Sequence, residues 1–264
     1  MSGLRLALTT LTVAPVRGPD RVDRRTAGRA MELAPLVGLG IGLAAATVLY
    51  LGRVLLTDDV PLLPCALAVS VLALATRGLH LDGLADLTDG LASYRDPAGA
   101  RDVMKAPDVG PMGVAAVVLT LLVQVGALLA CVQHGRGTAS LLLAVATGRL
   151  AVTAACRVTP AATPDGLGAL VARTVRAGVP TAWTVGLCVV ASGYALVDPD
   201  TRGSTPGELL RPTVAVLLAL LACRGLRAHA VRRVGGLTGD VLGALVELAT
   251  TVVLIGCAAA PSLS

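Results

Sequence analysis

The stretch MGVAAVVLTLLVQVGALLACVQ, residues 112–133, contains 22 residues and no Asp, Glu, Lys or Arg. A helix needs about 20 mostly apolar residues to cross the hydrocarbon core of a bilayer. This segment therefore predicts a membrane-spanning helix and sets the class of the protein.

The composition of the whole chain agrees with that class. The 264 residues are 55% hydrophobic and only 15% charged, with a mean hydropathy of +0.77. The net charge of +5 could suggest nucleic-acid binding, but basic residues beside apolar segments are typical of cytoplasmic loops. With no Phe and one Trp, the chain also lacks a platform for stacking bases. The six cysteines have no metal-ligand spacing, so we expect neither a zinc site nor a disulfide framework.

Six further apolar segments accompany the first, so we predict an all-α, polytopic transmembrane helical bundle with about seven membrane segments. We expect residues 1–264 to form a single integral membrane domain, with the N-terminal stretch as a short interfacial or buried segment. The predicted spans are 31–51, 61–77, 112–133, 139–157, 179–197, 209–224 and 241–260.

The loops indicate the orientation of the bundle. Segments 17–30, 80–110, 158–178 and 225–240 hold 13 Lys and Arg residues, whereas the alternate connections hold 3. By the positive-inside rule, the basic set and the N-terminus face the cytoplasm. We therefore predict a multi-pass protein of the cytoplasmic (inner) cell membrane.

Three aspartates follow the second span in GLHLDGLADLTDGL, residues 78–91. In a continuous helix Asp86 and Asp89 fall about 40° and −20° from Asp82, so the three carboxylates share one narrow arc. No Lys or Arg occurs between residues 78 and 94. All-oxygen ligands suit hard cations, and Mg²⁺ commonly binds carboxylates together with substrate phosphates. The stripe predicts a Mg²⁺ site at the cytoplasmic face; the alternative is a solvated face of an interfacial helix.

Other polar residues lie on the same predicted side of the membrane. Asp240 begins the last span, either as a site residue or as a helix N-cap, and Glu247 follows seven residues later on the same face. Lys105, in VMKAPDVGPMG (103–113), supplies a point charge suited to phosphate. Arg149 in the fourth span needs an anionic partner. His80 faces away from the acids in an unbroken helix, which favours a packing or supporting role over a metal ligand.

Acids for a metal ion and cations for phosphate at a membrane interface indicate phosphoryl or phosphodiester transfer. A CDP-alcohol phosphotransferase is one alternative, although the longer signature of that family, with its fourth aspartate, is absent. A secondary transporter or channel is another. Transporters carry coupling charges near the midplane and show inverted repeats, and no such repeat is visible here.

Four motifs resemble the cobalamin synthase (adenosylcobinamide-GDP ribazoletransferase) family. They are, in chain order, APLVGLGIG (34–42), the aspartate stretch (78–91), VMKAPDVGPMG (103–113) and GGLTGDVLGA (235–244). The resemblance covers nearly the whole chain. It implies a Mg²⁺-dependent membrane enzyme in which a hydroxyl of α-ribazole, or of its 5′-phosphate, attacks the phosphorus attached to cobinamide and GMP leaves.

The resemblance also assigns roles to residues. Asp82, Asp86 and Asp89 become metal ligands, one of them a candidate base, and Lys105 joins them as catalytic. The implied substrate-binding residues are His80, Asp108, Arg149, Asp240 and Glu247.

Two positions depart from the family pattern. Many relatives have an acid directly after the lysine, where Ala106 stands here, and Asp108 is the candidate replacement. Relatives often carry an aromatic residue before the proline of the first motif, where this chain has Leu33 and Ala34. The lipid bilayer and the two substrates are the expected partners; a second copy of the chain and other cobalamin-assembly enzymes are further candidates.

Overall fold

The computed structural model describes residues 2–56, 60–197 and 206–259, and this part of the chain is helical. An isolated bridge between Ala161 and Leu237 is the one β contact among these residues. The helices are α1 (Ser2–Leu11), α2 (Arg24–Glu32), α3 (Ala34–Leu55), α4 (Leu62–Ala75), α5 (Leu79–Ala92), α6 (Pro97–Met104), α7 (Pro111–Gln133), α8 (Gly137–Val158), α9 (Gly166–Val171), α10 (Val179–Val197), α11 (Pro206–Val234) and α12 (Gly239–Ala258).

Each of the seven predicted spans corresponds to a helix, but fewer are long and apolar enough to cross a membrane. Five helices meet that requirement: α3, α7, α8, the Leu209–Val234 part of α11, and α12. The α4–α5 pair would add a sixth as a broken span. In α10, the apolar part among the residues with described side chains is Val179–Gly193. The described chain thus carries five or six candidate spans, in line with the predicted bundle of about seven membrane segments.

Helices α8 and α12 form the centre of the bundle. In the most apolar 18-residue windows, 83% of α8 and 61% of α12 are buried, against 17% of α7 and 22% of α11. Helix α12 packs against α5, α7, α8 and α11, while α3 packs along α8. Because apolar side chains on α7 and α11 stay exposed in the isolated chain, these two helices present their outer faces to lipid.

Glycines allow the central helices to approach closely. A Cβ on Gly38 of α3 would lie 2.9 Å from the carbonyl oxygen of Val145 on α8. A Cβ on Gly148 of α8 would lie 3.0 Å from the carbonyl oxygen of Val246 on α12. Close backbone contacts of this kind favour helix association within membranes, where the hydrophobic effect contributes little.

A sharp corner separates α4 from α5. Arg77 and Gly78 have left-handed backbones, with φ of 55° and 71°. Gly78 N–H donates to the Ala73 carbonyl (2.8 Å) and Arg77 N–H to the Leu74 carbonyl (3.1 Å), the hydrogen-bond pattern of a Schellman C-cap. The two helices are bent by 84°. The aspartate stripe therefore lies on a helix of its own, not on an extension of the second span.

The N-terminal stretch is a short helix that packs on α2, with Ala7 and Leu11 buried, as expected of a partly buried segment. Helix α2 is capped by Asp23, whose carboxylate accepts from Thr26 N–H at 2.7 Å. At its other end, Glu32 pairs with Arg176 in the connection before α10. The six cysteines are free, which agrees with the absence of a disulfide framework.

Candidate active site

Helices α5 and α12 cross in direct backbone contact. A Cβ on Gly83 would lie 2.8 Å from the Cα of Asp240 and 3.2 Å from the Cα of Gly243. A Cβ on Gly243 would lie 3.0 Å from the carbonyl oxygen of His80. The glycine in the aspartate motif therefore makes room for another helix, and the crossing brings the acids of α5 to the start of α12.

Three carboxylates share this crossing without a cationic partner. Asp82 is exposed, whereas Asp86 and Asp240 are partly buried. Both Asp82 and Asp240 are close enough to act electrostatically on Asp86. Glu32–Arg176 is the one ion pair within 4.0 Å among the residues whose side chains are described (2–56, 60–193 and 209–259), so no Lys or Arg of this part neutralises the three acids.

The start of α12 is fixed by the connection that precedes it. Gly235 and Gly236 have φ of 93° and 156°, and a Cβ on Gly236 would meet the backbone of Ala161 at 2.6 Å. Leu237 N–H donates to the Pro160 carbonyl at 2.8 Å. These contacts join the start of α12 to the segment after α8.

The N-cap of α12 is Thr238, whose Oγ1 accepts from Val241 N–H at 3.2 Å. Asp240 is the second residue of the helix. Its interpretation as the N-cap was wrong, because the Thr238 hydroxyl already accepts from the first turn. The Asp240 carboxylate is left at the crossing with α5.

Asp89 is engaged by the backbone that begins α7. Its Oδ2 accepts from Gly110 N–H at 2.7 Å and its Oδ1 from Gly113 N–H at 2.9 Å. A Cβ on either glycine would overlap the carboxylate. The glycines of the VGPMG motif therefore let Asp89 cap α7, while Pro111 takes the first helical position, where no N–H is needed.

Lys105 and Asp108 lie at the edge of this region. Lys105 is the C-cap of α6, and Asp108 lies in the connection to α7. Both side chains are exposed, and neither makes a hydrogen bond within the described parts of the chain. Neither side chain forms a hydrogen bond or an ion pair with the acids.

Behind the acids, five side chains from four helices form what we call the inner polar cluster: His80, Gln124, Arg149, Glu247 and Thr251. Gln124 Nε2 donates to Glu247 Oε2 at 2.8 Å and to Thr251 Oγ1 at 3.1 Å. His80 and Arg149 are 4% and 3% exposed. Their Nδ1 and Nε atoms have no hydrogen-bond partner in the described structure.

Arg149 is the buried cation of this cluster. It interacts electrostatically with Glu247, but no nitrogen–oxygen pair between them lies within 4.0 Å. A buried guanidinium without a close carboxylate is costly in a bilayer and marks a functional position. The anionic partner predicted for Arg149 is therefore present only as Glu247, which lies too far away to form an ion pair.

Gln124, like Thr251, is a cluster member that the sequence analysis missed. It is the single amide inside residues 112–132, an otherwise apolar stretch interrupted only by small residues and Thr120. A strongly polar side chain in the middle of a span is a functional signal in its own right. That signal could have located the side of α7 that faces the protein interior.

The acids could hold a divalent cation only if a bound substrate supplied some of the metal ligands. Among the residues whose side chains are described (2–56, 60–193 and 209–259), no group of three or more His, Cys, Asp or Glu side chains lies close enough together to hold a metal ion. The donors present are carboxylates without protein cations, the ligand type that Mg²⁺ takes one or two at a time beside phosphates and water. The residues therefore fit Mg²⁺ bound jointly with a phosphorylated substrate.

A groove opens next to the acids, between the α4–α5 corner and α7. Its volume is about 710 Å³, and its lining is largely apolar, with Leu81, Val114 and Val118 on the walls. Asp82 lines the same groove. Pockets of about 300–1,000 Å³ are of a size that binds small organic ligands.

The chain is similar to known proteins over nearly its whole length. Residues 3–258 match the family described as cobalamin-5-phosphate synthase. The chain is 45% identical over 260 residues to an adenosylcobinamide-GDP ribazoletransferase of Frankia casuarinae, covering 95% of this chain and 92% of the relative. Proteins with the same name in a Nocardioides species and in Corynebacterium efficiens are 42% and 38% identical, with coverage of 97% and 98% of this chain and 97% and 91% of the relatives. No solved structure matches the chain.

Proposed function

The chain belongs to the cobalamin-5-phosphate synthase family, and on that premise we propose that it is an adenosylcobinamide-GDP ribazoletransferase. It joins adenosylcobinamide-GDP to α-ribazole, or to α-ribazole 5′-phosphate, and releases GMP. This is the last assembly step of cobalamin biosynthesis. The product is adenosylcobalamin or its 5′-phosphate.

The reaction is a transfer at phosphorus. An oxygen of a ribazole hydroxyl forms a bond to the phosphorus that carries cobinamide, and the anhydride bond from that phosphorus to GMP breaks. The hydroxyl proton passes to a base, for which Asp82, Asp86 and Asp89 are the candidates. Catalysis of such transfers consists mainly of positioning and charge neutralisation.

The convergence of Asp82 and Asp86 with Asp240 is the observation that carries this function. These acids meet where Gly83 contacts α12, and no described Lys or Arg pairs with them. An arrangement of unneutralised carboxylates fits a site in which a cation and a polyphosphate arrive together. A purely structural crossing would not require it.

We assign the binding of Mg²⁺ to the aspartates of α5, with one or two of Asp82, Asp86 and Asp89 as ligands at a time beside substrate phosphates and water. Asp89 can share in this because each carboxylate oxygen has two lone pairs and each accepts one backbone N–H. When bound, Mg²⁺ would neutralise charge on the diphosphate and favour departure of GMP. Asp240 adds a further carboxylate at the crossing of α5 and α12.

The cations act on the substrate diphosphate. Lys105 is exposed and free of described partners, so its ammonium can move to a phosphate oxygen. A Cβ on Gly38 of α3 would lie 3.2 Å from Arg149 Cδ, and the Nε of Arg149 has no hydrogen-bond partner in the described structure. Gln124 fixes Glu247, which limits how far that carboxylate can turn toward Arg149. Asp108, which is exposed, and His80, which is buried behind the acids, remain our candidates for further substrate-binding residues.

The apolar groove beside Asp82 takes the aromatic base of α-ribazole. Its valine and leucine walls suit a flat apolar ring, and Asp82 lines the same groove. Replacing Val114 with Trp would fill the groove. We expect that change to raise the KM for α-ribazole and to leave the Mg²⁺ requirement as it was.

The distribution of Lys and Arg among the loops supports a location for the active site. The Lys and Arg excess of segments 17–30, 80–110, 158–178 and 225–240 favours a cytoplasmic active site in the cytoplasmic membrane. Both substrates are polar and would reach the site from that compartment. We also propose that the protein associates with a second copy of itself and with other cobalamin-assembly enzymes.

The experiment is turnover by the purified protein in liposomes, given adenosylcobinamide-GDP, α-ribazole and Mg²⁺. We expect GMP and a cobalamin product in equal amounts, and loss of both in EDTA. Product formation that continues in EDTA would contradict the metal assignment. GMP release without a cobalamin product would contradict the transfer itself.

A matched pair of variants connects the reaction to the site. Asp82→Asn removes a carboxylate from the crossing, whereas Asp20→Asn makes the same change on the exposed segment before α2. Asp82→Asn should lower turnover roughly 100-fold or more, as for loss of a charge-stabilising group. Asp20→Asn should not change it. Equal activities of the two variants would refute the role of Asp82.

A further inference from the structure

A second groove lies on the far side of α12 from the acids. It runs between α8, α10 and α11, with a volume of about 390 Å³. Its inner walls are apolar and include Ala151, Leu220 and Leu245, and its other end carries Arg157, Arg224 and Arg227. Leu245 is two residues from Gly243, about 200° around the helix, so this groove and the acidic crossing use different faces of α12.

The three arginines have no acid beside them. No Asp or Glu lines the groove, and within the described residues none of the three forms an ion pair. The one side-chain hydrogen bond is from Arg227 to Thr159 Oγ1, at 3.4 Å. Three cations at the end of one groove repel each other, and a bound anion would relieve that repulsion.

The arginines lie in the C-terminal parts of α8 and α11. Arg157 is the residue before the last of α8, and Arg224 follows the uncharged run 212–223 of α11. With 29 residues, α11 is about 43 Å long, whereas the hydrocarbon core is about 30 Å thick. The C-terminal turns of α11 therefore reach the level of lipid headgroups, while Leu220 remains at acyl-chain depth.

We propose that this groove binds an anionic phospholipid. An acyl chain lies along the alanine and leucine walls, and the headgroup phosphate lies among Arg157, Arg224 and Arg227. Only a ligand with both an apolar chain and an anionic head matches the two ends of the groove. Basic pockets between membrane helices bind anionic headgroups in this way. The inference does not depend on the proposed reaction, because the acids lie across α12.

The test is native mass spectrometry of the full-length protein released from detergent, after addition of dioleoyl-phosphatidylglycerol or dioleoyl-phosphatidylcholine. We expect one tightly held phosphatidylglycerol and a preference over phosphatidylcholine of at least roughly tenfold, since each arginine near the surface contributes about fivefold. The variant Arg224→Gln/Arg227→Gln should lose that preference. Arg224→Lys/Arg227→Lys should keep most of it, and Arg21→Gln, on the exposed N-terminal segment, should keep all of it.

Two further experiments distinguish binding of a whole lipid from binding of a phosphate ion alone. Ala154→Phe should fill the groove and displace phosphatidylglycerol while the three arginines remain. Millimolar inorganic phosphate should not displace the lipid, because it lacks the acyl chain. Displacement by phosphate, retention of lipid in Ala154→Phe, or a wild-type protein without preference for phosphatidylglycerol would each overturn the proposal. Unchanged thermal unfolding of each variant in lipid-free detergent shows that the fold is intact.

Discussion

Gly83 of α5 lies against Gly243 of α12, and a Cβ on either residue would lie 3.2 Å from the Cα of the other. The crossing is therefore made by two backbones with no side chain between them. Since Asp82 and Asp86 flank Gly83, and Asp240 precedes Gly243 by one turn, the distance between these acids depends on this single contact.

Gly83→Ala should separate the two helices. The added methyl group would lie 2.8 Å from the Cα and 2.9 Å from the carbonyl oxygen of Asp240, and backbone atoms cannot rotate away. We expect a loss of about 1–3 kcal/mol of stability, typical of overpacking, together with nearly complete loss of turnover. Thermal unfolding in detergent and GMP release measure the two effects.

Gly40→Ala is the matched control for that change. Gly40 lies in α3 with nothing within 4 Å of its added Cβ. Alanine is favoured over glycine inside a helix by about 0.5–1 kcal/mol, so this variant should be slightly more stable and fully active. If both alanine variants kept full activity, close approach of α5 and α12 would be unnecessary for the reaction.

Asp89→Ala should destabilise the start of α7. Gly110 and Gly113 would lose a charged acceptor, and loss of a helix cap typically costs about 0.5–2 kcal/mol. Asp89→Asn retains one oxygen and should lie between wild type and Asp89→Ala in unfolding temperature. A Mg²⁺ titration of turnover in Asp89→Asn separates two roles. A pure cap leaves the half-maximal Mg²⁺ concentration unchanged, whereas a metal ligand raises it.

Gln124→Leu should destabilise the bundle from within. Glu247 and Thr251 would lose the amide that donates to both, and hydrogen bonds between membrane helices contribute about 0.6 kcal/mol on average and up to about 1.7. Gln133→Leu makes the same change at the exposed last residue of α7 and should be neutral. Unfolding temperatures that fall equally in the two variants would show that the buried hydrogen bonds contribute nothing.

Arg149→Met should affect stability and turnover in opposite directions. The guanidinium is 3% exposed and lacks a close carboxylate in the described chain, so an apolar side chain of similar length removes a desolvation cost. We expect an unchanged or higher unfolding temperature and a fall in kcat/KM of roughly 100-fold. A variant with reduced stability but normal turnover would make Arg149 a structural residue.

The Glu32–Arg176 pair should make stability depend on pH. Burial tends to raise the pKa of Glu32, but the hydrogen bonds and charge of Arg176 outweigh burial and hold that pKa below its usual 4.5. A carboxyl with a depressed pKa stabilises the folded state above its unfolded pKa, and that contribution is lost as the pH falls through the folded value.

Wild type should therefore unfold at a higher temperature than Arg176→Gln at pH 6, and the difference should shrink as the pH falls below 4.5 through the folded-state pKa of Glu32. Arg21→Gln provides the control, because Arg21 has no ion pair among the described residues. A difference between wild type and Arg176→Gln that stays constant from pH 6 to pH 3 would contradict this account.

The helices were predictable because long apolar runs leave few alternatives in a bilayer. Residues 112–133 and 139–157 correspond almost residue for residue to α7 and α8. The corner at Arg77 and Gly78 was not predicted, since an apolar count does not report backbone handedness. Thr76-Arg77-Gly78, directly after a span, is nevertheless a recognisable helix stop.

The acids were predictable as a group but not in their individual contacts. Helical spacing placed Asp82, Asp86 and Asp89 on one arc, yet only Asp89 reaches the N-terminus of α7. That difference depends on Gly110 and Gly113, which lie more than 20 residues away in sequence. Long-range packing of this kind leaves no trace in local periodicity.

The corner between α4 and α5 also decides how the acids are arranged in depth. In a helix that continued α4, Asp82 and Asp89 would be about 10 Å apart along its axis. With α5 turned by 84°, the same seven residues advance only about 1 Å along the direction of α4. With α4 along the membrane normal, the carboxylates would form a row at one level of the membrane, along which the diphosphate of the proposed substrate could lie flat.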